Sequence, residues 1–232
     1  MGIKTALLFV LCLVLWSSCL ADVVTNPQRS QKLMLGYVSH PLTDNVLLPL
    51  IRKSYQNIGL EVSFMAVEAE RGLRLLEDGM VDGDVVRTTL VLDNLNGVIK
   101  VAKLGEFTVE LHCRPGIRCQ LDDLTNPGVL IFFPESARAV KTLELQITAK
   151  KYHVRDWSQL VQLYHAGKVD RFLWVSSTLN CVHPATNTSV VALPVAPIDI
   201  YHVIHQSNAA LAAPLKHEIE NELAVINAEG CR

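Results

Sequence analysis

The stretch Ala69–Thr88, AERGLRLLEDGMVDGDVVRT, limits the possible folds more than any other part of this chain. Ala69, Gly72, Leu73 and Leu76 fall at i, i+3, i+4 and i+7, so one face of a helix is small or apolar while the other is charged. Gly79 stands where the end of such a helix calls for a residue at ease with a left-handed backbone. Met80–Val86 then reads as a short strand, ended by Arg87. The pattern returns later: Trp157, Leu160, Val161 and Tyr164 repeat the stripe, Gly167 repeats Gly79, and Val169-Asp170 repeats Val81-Asp82. Two copies of helix, glycine, Val-Asp and strand predict two similar α/β lobes, with the cleft between them as the natural ligand site.

The chain has 232 residues, half of them hydrophobic, which allows one large domain or two lobes with real cores. A net charge of −2 carries no electrostatic footprint for nucleic acid. Lys4, the apolar run Ala6–Trp16 and the small, polar Ser17–Ala21 follow the plan of a secretory leader, with cleavage after Ala21. The apolar run falls short of the ~20 residues that a spanning helix needs. Periplasmic export is therefore the expectation, with a lipid anchor on Cys19 as the minor alternative.

Cleavage leaves Cys113, Cys119, Cys181 and Cys231, an even set that reads as disulfides in an exported chain. Cys113 and Cys119 flank a Pro115-Gly116 turn able to bring the two sulfurs together, and Cys181 then pairs with Cys231. No Cys-x-x-Cys spacing supports zinc.

Leu33–Val38 reads as the first strand, followed by Ser39-His40-Pro41. Asn45 is a candidate cap for a helix to about Asn57 that turns Val46, Leu47, Leu50 and Ile51 inward. Leu60–Val67 is a second strand, and this alternation with short connections predicts a parallel sheet covered by helices. Val98–Leu104 and Phe107–His112 are β-like and mark the crossing between lobes. Val129–Phe133, a helix opened by Pro134-Glu135-Ser136, Tyr152–Val154 and the repeated unit build the second lobe. Val190–Val195, the strand Ile198–His205 and a helix Ala209–Asn227 close the chain.

With these pieces in order, Leu33–Gly230 resembles the bacterial extracellular solute-binding proteins of family 3, the type II periplasmic binding fold, and most of all their short, transporter-orphan members. The likeness rests on three stretches. The first is Glu70-Arg71-Gly72-Leu73 with Leu76, Gly79, Val81-Asp82-Gly83 and Arg87. The second is Asp156-Trp157 with Leu160, Gly167 and Val169-Asp170. The third is Tyr201–His205 with the Leu211–Leu215 helix. The resemblance implies an α/β fold of two lobes, each a mainly parallel sheet flanked by helices. Residues 1–21 are the leader, 22–108 the first part of lobe 1, 109–191 an inserted lobe 2, and 192–232 the return to lobe 1. It also implies a monomer that closes by hinge motion on a small-molecule ligand, serving a membrane transporter or a sensor. The aromatic residue that amino-acid receptors of the family carry after the first strand is missing, because Pro41 is followed by Leu42 and Thr43. Their carboxylate-holding arginine, about ten residues past the Val-Asp, is replaced by Leu92.

Arg87, Ser39, Ser136 and Ser176 are the candidate ligand-binding residues. Arg87 offers a fork for a carboxylate or phosphate, and with equal weight a salt bridge to Asp82, Asp84 or Glu70. Ser136 opens a helix, where it caps or meets an anion; Ser39 and Ser176 follow predicted strands. His202 and His205 fall three apart on a strand, on opposite faces, so no metal site is expected. No nucleophile elbow, zinc-protease helix or phosphate-cradling loop is present. Neither catalytic residues nor a cofactor are expected. The expectation is a periplasmic binding protein for a small polar, carboxylate-bearing ligand. The alternatives are a dehydratase-like enzyme on the same fold, or a ligand-free periplasmic sensor accessory whose cleft is filled by its own apolar side chains.

Overall fold

The computed structural model describes residues 32–134, 147–179 and 188–229. The leader, Ser136 with the helix expected there, Cys181 and Cys231 lie outside the described residues.

The described strands are β1 (Leu33–Tyr37), β2 (Val62–Ala66), β3 (Gly83–Thr88), β4 (Val98–Cys113), β5 (Leu130–Pro134), β6 (Lys150–Val154), β7 (Arg171–Ser177), β8 (Ser189–Ala192) and β9 (Ile198–His205). They form one sheet in the order β2-β1-β3-β9-β4-β7-β5-β6, with β8 also on β4. At one end β1 runs parallel to β2 and β3; at the other β5 runs parallel to β6 and β7. Between these parallel trios lie β9 and β4, each antiparallel to its neighbours. The predicted parallel units are thus present twice, as the duplicated pattern implies.

The helices are α1 (Leu48–Asn57), α2 (Ala69–Glu77), α3 (Thr89–Leu92), α4 (Trp157–His165) and α5 (Ala212–Glu229). Before α1, a wider turn spans Thr43–Leu47, closed by the Leu48 N–H on the Thr43 carbonyl. This corrects the helix start: the helical run begins at Pro41, where a proline loses nothing by lacking an N–H, and Asn45 lies exposed inside it. Leu47, Leu50 and Ile51 are buried as the pattern predicts. The last helix is corrected as well, with a tighter turn over Gln206–Leu211 before α5 proper. Pro214 falls in the first turn of α5, and Leu215, Ile219 and Leu223 face the core.

The two β-like segments after Gly97 are one sixteen-residue strand, β4. Its first half pairs with β9 and its second half with β7 and β8. The handover falls at Phe107, which is opposite both Ile198 of β9 and Ser177 of β7. The β4–β9 register shifts between Lys103 and Gly105, just before that point. The chain recrosses on the same side through Leu193–Pro197, between β8 and β9.

Cys113 and Cys119 form the expected disulfide, with Cα atoms 5.7 Å apart around a turn in which Gly116 has φ 83°. In the organising unit, Gly79 has φ 66° at the end of α2, the left-handed state that favours glycine. Gly83 opens β3 beneath β9, where an added Cβ would meet the Val203 carbonyl oxygen at 2.6 Å. The pairing of β3 with β9 leaves that carbonyl little freedom to move. Gly83→Ala is expected to lower stability by about 1–3 kcal/mol, measured by urea unfolding; an unchanged midpoint would show that the β3–β9 spacing is slack.

Candidate functional site

Arg87 lies inside β3, and its position is not at a strand edge open to solvent: the side chain is 6% exposed. Its Nη2 donates to Asp84 Oδ2 at 2.5 Å and its Nη1 to the Ala69 carbonyl at 3.2 Å. Gly72 makes this possible, because a Cβ there would run into Arg87 Nη2. The helix–glycine–strand pattern is therefore a lock in which α2 closes over a buried ion pair. Burial pushes the Asp84 carboxyl up to about 6, against the pull of the Arg87 guanidinium and of the Val86 N–H. Of the two roles weighed for Arg87, the salt bridge is formed, to Asp84 among the three acids considered. Arg87 Nε is buried without a hydrogen-bond partner.

Because β1 and β3 are parallel with Gly36 beside Asp84, their chains leave the sheet at the same end. Ser39-His40 leaves from β1 and Arg87-Thr88 from β3. The Ser39 hydroxyl donates to Asp44 Oδ2 at 2.7 Å, so it fixes the start of the α1 segment. His40 accepts the Leu42 N–H on Nδ1 at 3.1 Å. Its ring packs edge-on against Trp157, with centroids 4.8 Å apart, and tilted against Trp174 at 5.3 Å. Trp157 opens α4 directly after β6, and Trp174 lies on β7, so this contact joins the two ends of the sheet. Trp157 and Trp174 also meet edge to face at 5.1 Å. Burial holds the His40 imidazole down at about 4, so the ring is neutral near pH 7.

Among the described residues, the buried side-chain polar atoms without a partner are His40 Nε2, Arg87 Nε, Thr88 Oγ1 and Trp174 Nε1. His40 Nε2 and Trp174 Nε1 belong to this seam, and Arg87 Nε and Thr88 Oγ1 to the end of β3. Native structures leave few such groups, and each calls for an explanation.

Ser176 is on β7, and its hydroxyl donates to Glu110 Oε2 of β4. The same carboxylate oxygen is 2.9 Å from His112 Nε2, while His112 Nδ1 meets Thr188 Oγ1 at 3.2 Å. His112 stacks on Phe172 at 5.1 Å. This chain of polar contacts occupies Ser176. It went unread in the sequence because Glu110, His112 and Ser176 come together only through the β4–β7 pairing. The alternation of Glu110 and His112 on β4 is the one trace of it.

His202 and His205 do point to opposite faces. His202 is fully buried, donating from Nδ1 to the Val85 carbonyl at 3.3 Å and accepting the Tyr55 hydroxyl on Nε2 at 3.1 Å. His205 bonds Ser207 at 2.8 Å on the side of Gly79. Burial holds His202 down at about 4. No group of three metal-binding side chains occurs among the described residues.

No protein-family model matches the sequence, and no curated protein matches it. Solved structures do share its fold. The ligand-binding core of GluR0 from Nostoc punctiforme, in complex with L-glutamate, is 13% identical, with 85% of this chain and 98% of that chain covered and a TM-score of 0.63. A histidine kinase sensor domain with similarity to periplasmic binding proteins is 16% identical, covering 87% and 96%, with a TM-score of 0.63. The ancestral amino-acid-binding protein AncCDT-1, a precursor of cyclohexadienyl dehydratase, is 13% identical, covering 87% and 95%, with a TM-score of 0.65. The chain has the two-lobed, type II periplasmic binding protein-like fold. The resemblance read from the sequence is correct at that level.

Two outcomes are expected from these buried groups. Removing Arg87 strands Asp84 in the core, so Arg87→Ala should cost roughly 3 kcal/mol of stability, read from urea unfolding at pH 7.5. A loss below about 1 kcal/mol would mean that water reaches Asp84. The second concerns pH. His40 and His202 must give up their protons on folding between about pH 6.5 and 4, which makes stability fall as pH falls. Asp84, whose folded value is raised to about 6, opposes one of them, since its contribution is lost as pH rises. These three groups together predict a net slope of one proton between pH 6 and 4, ~1.4 kcal/mol per pH unit. His40→Ala should bring their joint slope close to zero; an unchanged slope would mean that His40 is protonated in the fold.

Proposed function

We propose that this chain is an exported, periplasmic solute-binding-like protein that takes a small polar, carboxylate-bearing solute between its lobes. It closes on the solute by bending at the Gly105–Phe107 crossing and the Leu193–Pro197 recrossing. The observation that carries this reading is the seam itself. There His40, just past β1, meets Trp157 at the β6–α4 opening and Trp174 on β7, and His40 Nε2 and Trp174 Nε1 are buried without partners. Ligand sites in open α/β sheets favour such strand ends. Two crossing segments, one with a register shift, provide the narrow connection that hinge closure uses. Arg87 in this reading braces α2 on β3, while Ser39 and Ser176 position their neighbours Asp44 and Glu110.

A second reading is favoured by one specific contact. The His40, Trp157 and Trp174 rings fill their own seam, as expected of a sensor-type accessory that signals without a solute. The similarity of the fold to a histidine kinase sensor domain supports it too. For catalysis, the ancestral dehydratase precursor keeps an enzyme on this fold in view, but among the described residues the titratable groups considered are a neutral His40 and the Arg87–Asp84 pair, each already taken by the other.

Mass spectrometry separates the first two readings. Protein released by osmotic shock and then denatured should yield a small carboxylate in near-equimolar amount, and adding it back should raise Tm and shrink the radius of gyration in solution scattering. Absence of any released solute, with an unchanged scattering curve across a metabolite panel, would overturn solute binding and leave the sensor reading.

A further inference from the structure

The unpartnered buried groups at the seam and at the end of β3 share one chemical character. His40 accepts the Leu42 N–H on Nδ1, so its neutral ring carries the proton on Nε2, which is a donor. Trp174 Nε1 and Arg87 Nε are donors only. The Thr88 hydroxyl can donate as well. Four buried donors are therefore present without an acceptor, on three different strands' ends or faces. Each buried donor left unmade is costly.

Among the described residues, the carboxylates whose partners lie near the seam are already in use. Asp84 is held by Arg87, Asp44 by Ser39, Glu110 by Ser176 and His112, and Asp156 by the Gln159 N–H and Arg155. A solute that brings an ammonium group finds no free carboxylate among these. A solute that brings only acceptors matches the donor set. The walls add a second requirement: Trp157 and Trp174 meet at 5.1 Å, and the His40 ring, a flat body, is packed against both. A flat ring laid beside them would meet the tryptophans edge-on or tilted, as the His40 ring does.

Resting on the solute-binding reading above, we propose that the seam selects a flat-ring carboxylate that lacks an amino group. Its carboxylate takes the N–H groups of His40 and Trp174 and its ring lies against Trp157. The two donors come from opposite ends of the sheet, so one carboxylate bridging them ties the lobes together. This makes closure depend on the ligand and separates this protein's choice of solute from that of a receptor for α-amino acids.

Trp157 and Trp174 are the tryptophans of the exported chain, Trp16 lying in the expected leader, so their emission reports on the seam directly. Benzoate is the probe, compared with L-phenylalanine, benzamide and cyclohexanecarboxylate by fluorescence titration and calorimetry. Benzoate should bind saturably, with each of the other three weaker by about fivefold or more. Trp174→Phe and His40→Phe keep a ring and remove a donor, and each should weaken benzoate by about tenfold with the melting temperature of the free protein held or raised. Binding of L-phenylalanine as tightly as benzoate, unchanged benzoate affinity in both variants, or no saturation up to ~10 mM benzoate would each overturn the proposal. A different solute that co-purifies with the wild type and with both variants alike would overturn this assignment while leaving the solute-binding reading intact.

Discussion

The structure depends on β4. Strands at one end of the described sheet reach those at the other only through the pairing of β9 with β4 and of β4 with β7. Its sixteen residues give their first backbone bonds to one half and their last to the other, and Phe107 sits where both partners end. The interior follows from the same arrangement. Leu111 and Val109 are fully buried in the half with β7, and Val101 and Leu104 are nearly so beside β9. Backbone pairing along such a strand is strong in extension but yields to bending where the register breaks, which is where the strand changes partners.

Each half then solves its own packing problem. Around β3 the solution is polar and exacting: a buried Arg87–Asp84 pair beneath Gly72, with the Tyr55–His202–Val85 chain on the neighbouring strand. A buried pair of this kind adds little net stability over a hydrophobic one, yet losing either member is severe, so it fixes one arrangement of α2 on the sheet. Around β7 the solution is aromatic, with Phe172, Trp174 and Trp157 layered under α4. The two styles meet at His40. There the polar side supplies donors, the aromatic side supplies walls, and neither supplies an acceptor.

Much of this was legible in the residues. The i, i+3, i+4 stripes gave α2 and α4, the glycines their ends, and the alternation of strand and helix the two parallel units. The turn between Cys113 and Cys119 gave their disulfide, because the five residues between them, with Pro-Gly inside, leave the sulfurs few places to go. The length of β4 was missed, since Gly105 and Glu106 break the apolar pattern at the point where the strand changes partners. The start of α1 was missed for a related reason: Asn45 is a good capping residue, but Pro41 precedes it and is as good at opening a helix.

By itself the sequence determined the local elements, their duplication and hence the class of fold, because periodicity and turn chemistry act over a few neighbouring residues. It could name Arg87 as important without deciding its partner, as three acids lay within reach along the chain. Tertiary structure alone decided that Asp84 takes the guanidinium, that Ser176 serves Glu110 and His112, and that His40 meets Trp157 and Trp174. These contacts join residues far apart in the chain, and their geometry is set by strand order and by the crossing of β4. No local pattern encodes that.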